Sequence, residues 1–226
     1  MSNKHNLDKA SIFEIQPNKT IIERVSMWKV LGLTIQQNLT WNDHITTTIC
    51  EGYSALRTLR KIKRLTPFHV RKLLAETLIL PKIDYGNVIF TNAPDYLLKR
   101  LQKLQNSAAG YVYKRYANEN DVISLNWLPI KEKIQYNISV MAFNALNNPS
   151  WPEYLQLKMK NENSNLRSRG TCKIEKAPLL GRGTFHDNAE KIFNDLPTNI
   201  REEQCLNKFK SLTKTYFKDR ALARTL

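Results

Sequence analysis

The segment from Pro94 to Arg115 limits the fold more than any other part of the chain. A proline fits the first turn of a helix, and Asp95 beside it complements the positive end of the helix dipole. Leu97, Leu101, Leu104 and Ala108 then recur at steps of three and four, which places them on one buried stripe. Lys99, Arg100 and Lys103 fall mostly off that stripe and form a cationic outer face. Ahead of this helix lies a short apolar piece between Pro81 and Pro94, bent at Tyr85-Gly86. The stretch as a whole is a hydrophobic anchor followed by a helix that presents positive charge. Periodicity alone fits an amphipathic helix in any helical protein.

The flanking sequence predicts further helices. Thr40 is placed to cap one running to about Leu65, with Asp43 completing a variant capping box. Its apolar face is Ile45, Ile49, Leu56, Leu59 and Ile62, and its end carries Arg57, Arg60, Lys61, Lys63 and Arg64. Cations there complement the helix dipole, but five in eight residues exceed that need. A second helix is expected with Thr66 as cap, Pro67 in the first turn, Val70, Leu73, Leu74 and Leu78 inward, and a stop before Pro81. Ala117–Leu128 reads as a polar loop. Pro129 opens another helix with Ile130, Ile134, Ile138, Met141 and Ala145 on one stripe, broken at Asn147–Ser150. Asn161–Arg169 is the linker candidate, Lys173–Phe185 reads as extended and basic, and a final helix has Phe209, Leu212, Tyr216 and Phe217 to bury.

The first 40 residues read as short β-prone runs: Ile12–Ile15, Ile21–Val25 and Trp28–Ile35, the last with Gly32 as a bulge or close backbone approach. So small a sheet buries little by itself and expects covering from elsewhere.

Charge gives the first functional indication. The chain carries a formal +15, concentrated in two blocks. Residues 51–116 hold 13 Lys/Arg against 4 Asp/Glu, and residues 166–226 hold 13 against 7, so the net values are +9 and +6. Such a balance predicts polyanionic partners, nucleic acid first among them. No apolar run is long enough to span a bilayer, and the polar start is no signal peptide, so no membrane partner is expected. Three widely spaced cysteines, Cys50, Cys172 and Cys205, fit a reduced intracellular setting, nuclear or cytoplasmic.

Leu80-Pro81-Lys82-Ile83-Asp84-Tyr85-Gly86-Asn87-Val88-Ile89-Phe90, followed by Leu98-Lys99-Arg100-Leu101-Gln102-Lys103-Leu104-Gln105-Asn106-Ser107-Ala108-Ala109, resembles the thumb of reverse transcriptases from non-LTR (LINE-type, jockey-like) retrotransposons. Gly110 departs from the pattern, because the family usually carries a basic residue there. Trp28, Lys29, Val30, Leu31 and Gly32 resemble the family's primer-grip hairpin, with Val30 where an aromatic is usual. Leu39–Ile45 resembles its continuation, and Asn6 with Lys9 the element after the catalytic strands. Trp127-Leu128-Pro129 resembles the element beyond the thumb, and Phe185 to Lys210 the terminal pattern, with Phe193 in place of tryptophan.

The resemblance implies a mainly α (α+β) fold: a small N-terminal sheet or hairpin remnant of the palm, then a helical thumb bundle, then a C-terminal helical region. The expected divisions are 1–40, 41–116, 117–160 and 161–226. It also implies that the complete enzyme uses Mg2+ held by clustered aspartates about 4 Å apart across two metals. This chain has no Asp-Asp pair. Glu202-Glu203, its adjacent acidic pair, is expected in an exposed first turn of helix, and Asp84 in a turn. No catalytic residue, metal site or cofactor is therefore expected in the chain as given, nor a small-molecule substrate. His44, His69 and His186 lack metalloprotease spacing, no C-x-x-C occurs, Gly181–Thr184 lacks a phosphate-loop lysine, and no nucleophile elbow exists.

Binding chemistry is better represented. Cations on parallel helices suit a duplex backbone, and a thumb on an A-like hybrid reads shape rather than base edges. The candidate phosphate contacts are Lys29, Arg57, Arg60, Lys61, Lys63, Arg64, Lys99, Arg100 and Lys103. Tyr53, Tyr85, Tyr111, Tyr113 and Tyr116 are candidates for base stacking or for ordinary core positions. The expected function is that of a polymerase fragment retaining a template–primer-binding thumb, partnered by RNA or RNA–DNA hybrid and by the palm and fingers. The alternative is a host-recruited helical protein–protein adaptor, or a relic with no selected function.

Overall fold

The computed structural model describes residues 25–38, 40–160, 172–176 and 183–225. The fold is mainly helical with one small antiparallel hairpin near the N-terminus. The runs at 12–15 and 21–24, Asn6, Lys9 and the linker at 161–169 lie outside the described residues.

The hairpin pairs β1 (Met27–Val30) with β2 (Leu33–Gln36), in the register Met27 with Gln36 and Val30 with Leu33. Trp28–Ile35 is therefore two strands, not one strand with a bulge. Leu31 and Gly32 both take positive φ, at 48° and 81°, so Gly32 supplies half of a tight two-residue turn. The hairpin sits on the loop that follows it in space: the Tyr85 hydroxyl donates to the Leu31 carbonyl. Gly86 beside it holds φ 63°, and a Cβ there would lie 2.9 Å from a Leu33 methyl. Trp28 and Leu31 remain largely exposed.

Helix α1 runs Asn42–Lys61. The expected Thr40 cap is not formed, and Trp41 occupies the cap position with no side-chain bond. Gln36 of β2 captures both groups of the expected box: its amide nitrogen donates to the Asp43 carboxylate, and its carbonyl accepts from the Thr40 hydroxyl at 2.7 Å. Tertiary contact thus outcompetes the local cap. The helix also ends four residues short of Leu65, leaving Lys63 and Arg64 in the turns that follow.

Helix α2 (Phe68–Leu78) buries only part of the expected face: Leu74 packs against the core and Val70 is half-buried. Arg71 and Ala75 point inward, whereas Leu73 is 58% and Leu78 46% exposed. Thr66 does not cap it either, since its hydroxyl donates back to Ile62 and Lys63 carbonyls. The buried face follows from Arg71: its Nε donates to the Val112 carbonyl at 2.8 Å and its NH1 to Thr66. That guanidinium neutralises carbonyls left unpaired at a helix end. The apolar piece after α2 forms α3 (Leu80–Asp84) and a 3-10 turn (Asn87–Asn92), hinged at Tyr85-Gly86 as expected.

Helix α4 (Asp95–Tyr113) follows the sequence reading closely: Leu97, Leu101, Leu104 and Ala108 are all at most 1% exposed. Residues 117–128 are not a plain loop. They hold α5 (Glu119–Ser124), opened by a full capping box between Asn118 and Asp121. Six residues give too little periodicity to reveal it. Helix α6 (Ile130–Asn147) buries Ile130, Ile134, Ile138 and Ala145 as expected, but Ala142 enters the core while Met141 stays half-buried.

Among the described residues, α7 (Phe185–Asp195), α8 (Thr198–Arg201) and α9 (Leu206–Thr225) follow. Phe209 is fully buried, with its ring 4.6 Å from Phe143 of α6 and 6.2 Å from Phe193 of α7. Phe217 is buried too, whereas Leu212 and Tyr216 are half-buried. Arg224 ties the end of α9 to Glu132 on α6 at 2.9 Å and to Glu119 on α5. A single cluster of buried side chains extends from Ile45 to Phe217. The three cysteines are unpaired, and no helix among the described residues is long and apolar enough to cross a membrane.

Candidate nucleic-acid interface

Helices α1 and α4 lie side by side and run parallel. Three cross-contacts establish the register: Asn42 with the Tyr96 hydroxyl, Thr46 with Arg100, and Tyr53 with Ser107, each pair 54 residues apart. The helices approach closely at Gly52, where a Cβ would lie 2.5 Å from a Leu104 methyl. Helical spacing puts Tyr53, Arg57 and Arg60 on one stripe of α1, and Arg100, Lys103, Ser107 and Gly110 on the matching stripe of α4. The result is a seam of cations roughly 20 Å long from the Thr46 level to the Arg60 level.

Parallel packing brings both C-terminal ends to the same place. Each end carries a partial negative charge, so Arg60, Lys61, Lys114 and Arg115 each gain from the dipoles. That accounts for some of the charge, but not for its arrangement. Arg60, Lys63, Lys103 and Arg115 line one cavity of about 550 Å³, and among the described residues no carboxylate lines it. Among the described residues, no ion pair engages Arg57, Arg60, Lys61, Lys63, Arg64, Lys99 or Lys103. The Lys63 ammonium is pushed below the ordinary lysine range, first by partial burial and then by repulsion from Arg60, Arg71 and Lys114. An arriving anion would relieve that repulsion.

The expected residues are thus only partly assembled into one site. Arg60, Lys63 and Lys103 converge on the cavity, whereas Arg57 and Arg100 lie along the seam leading to it. Lys61, Arg64 and Lys99 are exposed at its flanks. Lys29 is elsewhere, lining a separate cleft between the hairpin and α1 with His44, Glu51 and Lys82. There Nδ1 of His44 accepts weakly from the Thr34 N–H at 3.4 Å, and burial pushes the imidazole pKa down. Of the tyrosines, Tyr111 is 1% and Tyr116 89% exposed, and Tyr113 packs against Phe68.

Two residues absent from the expected set matter. Arg71 is a buried cation beneath the C-terminal end of α4. Arg115 is fixed by Asp121, its NH1 donating at 3.0 Å, with its guanidinium 5.0 Å from the Tyr113 ring. The Asn118-x-x-Asp121 box was a legible signal for the segment that holds Arg115. The hydrogen bond from Arg115 keeps the Asp121 carboxyl below the usual carboxylate range. Because the folded value is depressed, the pair contributes stability above the unfolded value of about 3.9 and loses it as pH falls through the folded value. Asp121→Asn is therefore expected to lower the melting temperature at neutral pH. Melts at successively lower pH should show the gap from the unaltered chain closing below about pH 4.

Two of the acids singled out in the sequence are committed to structure. Asp84 pairs with Lys133 at 3.2 Å, and burial pushes its carboxyl up against that pull. Glu203 is not in a first turn of helix but between α8 and α9, bound to Lys208 at 2.7 Å. Among the described residues no group of three or more His, Cys, Asp or Glu side chains could hold a metal ion.

Compared with known proteins, the chain matches no family model, no curated protein and no solved structure.

Proposed function

We propose that this chain is the thumb-side part of a non-LTR retrotransposon reverse transcriptase, and that its α1–α4 seam holds the backbone of an RNA–DNA template–primer. The observation that carries the binding half is the seam of α1 and α4, along which Arg57, Arg60 and Lys103 stand in no ion pair among the described residues. Phosphate contacts supply affinity without sequence readout, and a row of unpaired cations on two rigid helices is suited to supply them. The polymerase half rests on the thumb-like run at 79–109 and the hairpin-like run at 27–45. In this reading the chain does not polymerise by itself. The palm and fingers would bring the aspartates and the Mg2+ of the complete enzyme, and the setting is intracellular.

The test is direct titration of a labelled RNA–DNA hybrid at low salt. Binding with a dissociation constant in the range of about 10⁻⁶ to 10⁻⁴ M or tighter is expected. A hybrid that stays free at low ionic strength contradicts the proposal.

A second reading, as a helical adaptor for other proteins, has its own observation. Leu65, Phe68, Leu73 and Leu78 are all exposed on and beside α2, with Leu65 at 86%. A protein interface built on such apolar groups responds little to salt.

A further inference from the structure

We infer that the cavity between the ends of α1 and α4 is a pocket for one unpaired nucleotide, taken from a single-stranded end of the bound nucleic acid. The inference rests on the nucleic-acid reading and adds to it a distinct subsite.

The shape argues first. A duplex backbone needs a cationic surface, whereas about 550 Å³ of concave space lies in the range of small-ligand sites. The pocket exists because of Gly110. A Cβ at that position would lie 2.8 Å from the Arg115 carbonyl oxygen, so only glycine lets residues 115–117 fold back across α4. A basic residue here would close the space. Arg115 and Tyr116 then form a wall of their own, braced by the Arg115–Asp121 pair.

The lining supplies the chemistry of a nucleotide. Arg60, Lys63 and Lys103 give its phosphate a cationic seat. Tyr53 and the highly exposed Tyr116 offer aromatic faces for an unstacked base. Tyr111 also lines the pocket, and its buried hydroxyl has no partner among the described residues. That hydroxyl has no exposed surface, so the base is held by the ring faces of Tyr53 and Tyr116 rather than by it.

The experiment compares two probes on the full chain: a blunt RNA–DNA hybrid, and the same hybrid with a few unpaired nucleotides at one end. The overhang, made in turn of RNA and of DNA, should tighten binding about tenfold. Tyr116→Ala should remove that gain and leave the blunt hybrid unaffected, whereas Tyr116→Phe, which keeps the aromatic face, should retain it. Equal affinity for both probes, or a gain that survives Tyr116→Ala, overturns the pocket while the backbone-binding proposal stands. Failure of both probes to bind overturns the two together.

Discussion

Changing Arg60, Lys61 and Arg64 together to glutamate is expected to abolish hybrid binding while leaving the helical content unchanged. All three are exposed and in no ion pair among the described residues, so their reversal forfeits the small dipole contribution at the end of α1 but breaks no ion pair. Each phosphate contact releases roughly 0.9 of a counterion, which at ~0.1 M salt is worth somewhat under tenfold in affinity. Three together come to about 10²- to 10³-fold, before the added repulsion of three carboxylates is counted. Circular dichroism fixes the folding side of the claim, and anisotropy of a labelled hybrid fixes the binding side. Retained affinity in the folded triple variant would remove this face from the account.

The second large effect concerns the core. Phe209→Ala should lower stability by about 3–5 kcal/mol, because a fully buried ring is lost from between Phe143 and Phe193. For a chain of this size that is a fall of roughly 10 °C in melting temperature. It should also loosen α9 from α6, leaving Phe217 and the contacts of Arg220 with Gln135 and of Arg224 with Glu132 and Glu119 to hold the far end. A drop under ~1 kcal/mol would mean that the last helix is held by something other than this aromatic cluster.

What could be read from the residues, and what could not, divides along one line. The stripe from Leu97 to Ala108 was legible because a long helix repeats its signal over five turns. The Ile130–Ala145 stripe was legible for the same reason. Where a residue had both a local and a distant partner, the distant one decided. Gln36 took the hydroxyl of Thr40 and the carboxylate of Asp43, so the cap disappeared. Arg71 found the Val112 carbonyl, which turned α2 so that Leu73 and Leu78 face outward. Periodicity assigns charged residues to water and could not anticipate a buried arginine.

The cationic residues of the candidate site were named from their clustering, but their meeting place was not. It depends on α1 and α4 running parallel with an offset of 54, and on the space that Gly110 leaves beneath Arg115. Neither is a property of one helix. Lys29 is in the expected set by resemblance to a hairpin, and the fold places it in a different cleft from Arg60 and Lys103.

The salt dependence of hybrid affinity tests the central claim most directly. If about five cations of the seam touch phosphate, log affinity falls against log salt with a slope near −4, and the triple variant gives a far shallower line. A slope near zero for the unaltered chain, with binding intact at high salt, would mean that the contacts are apolar and the cations idle.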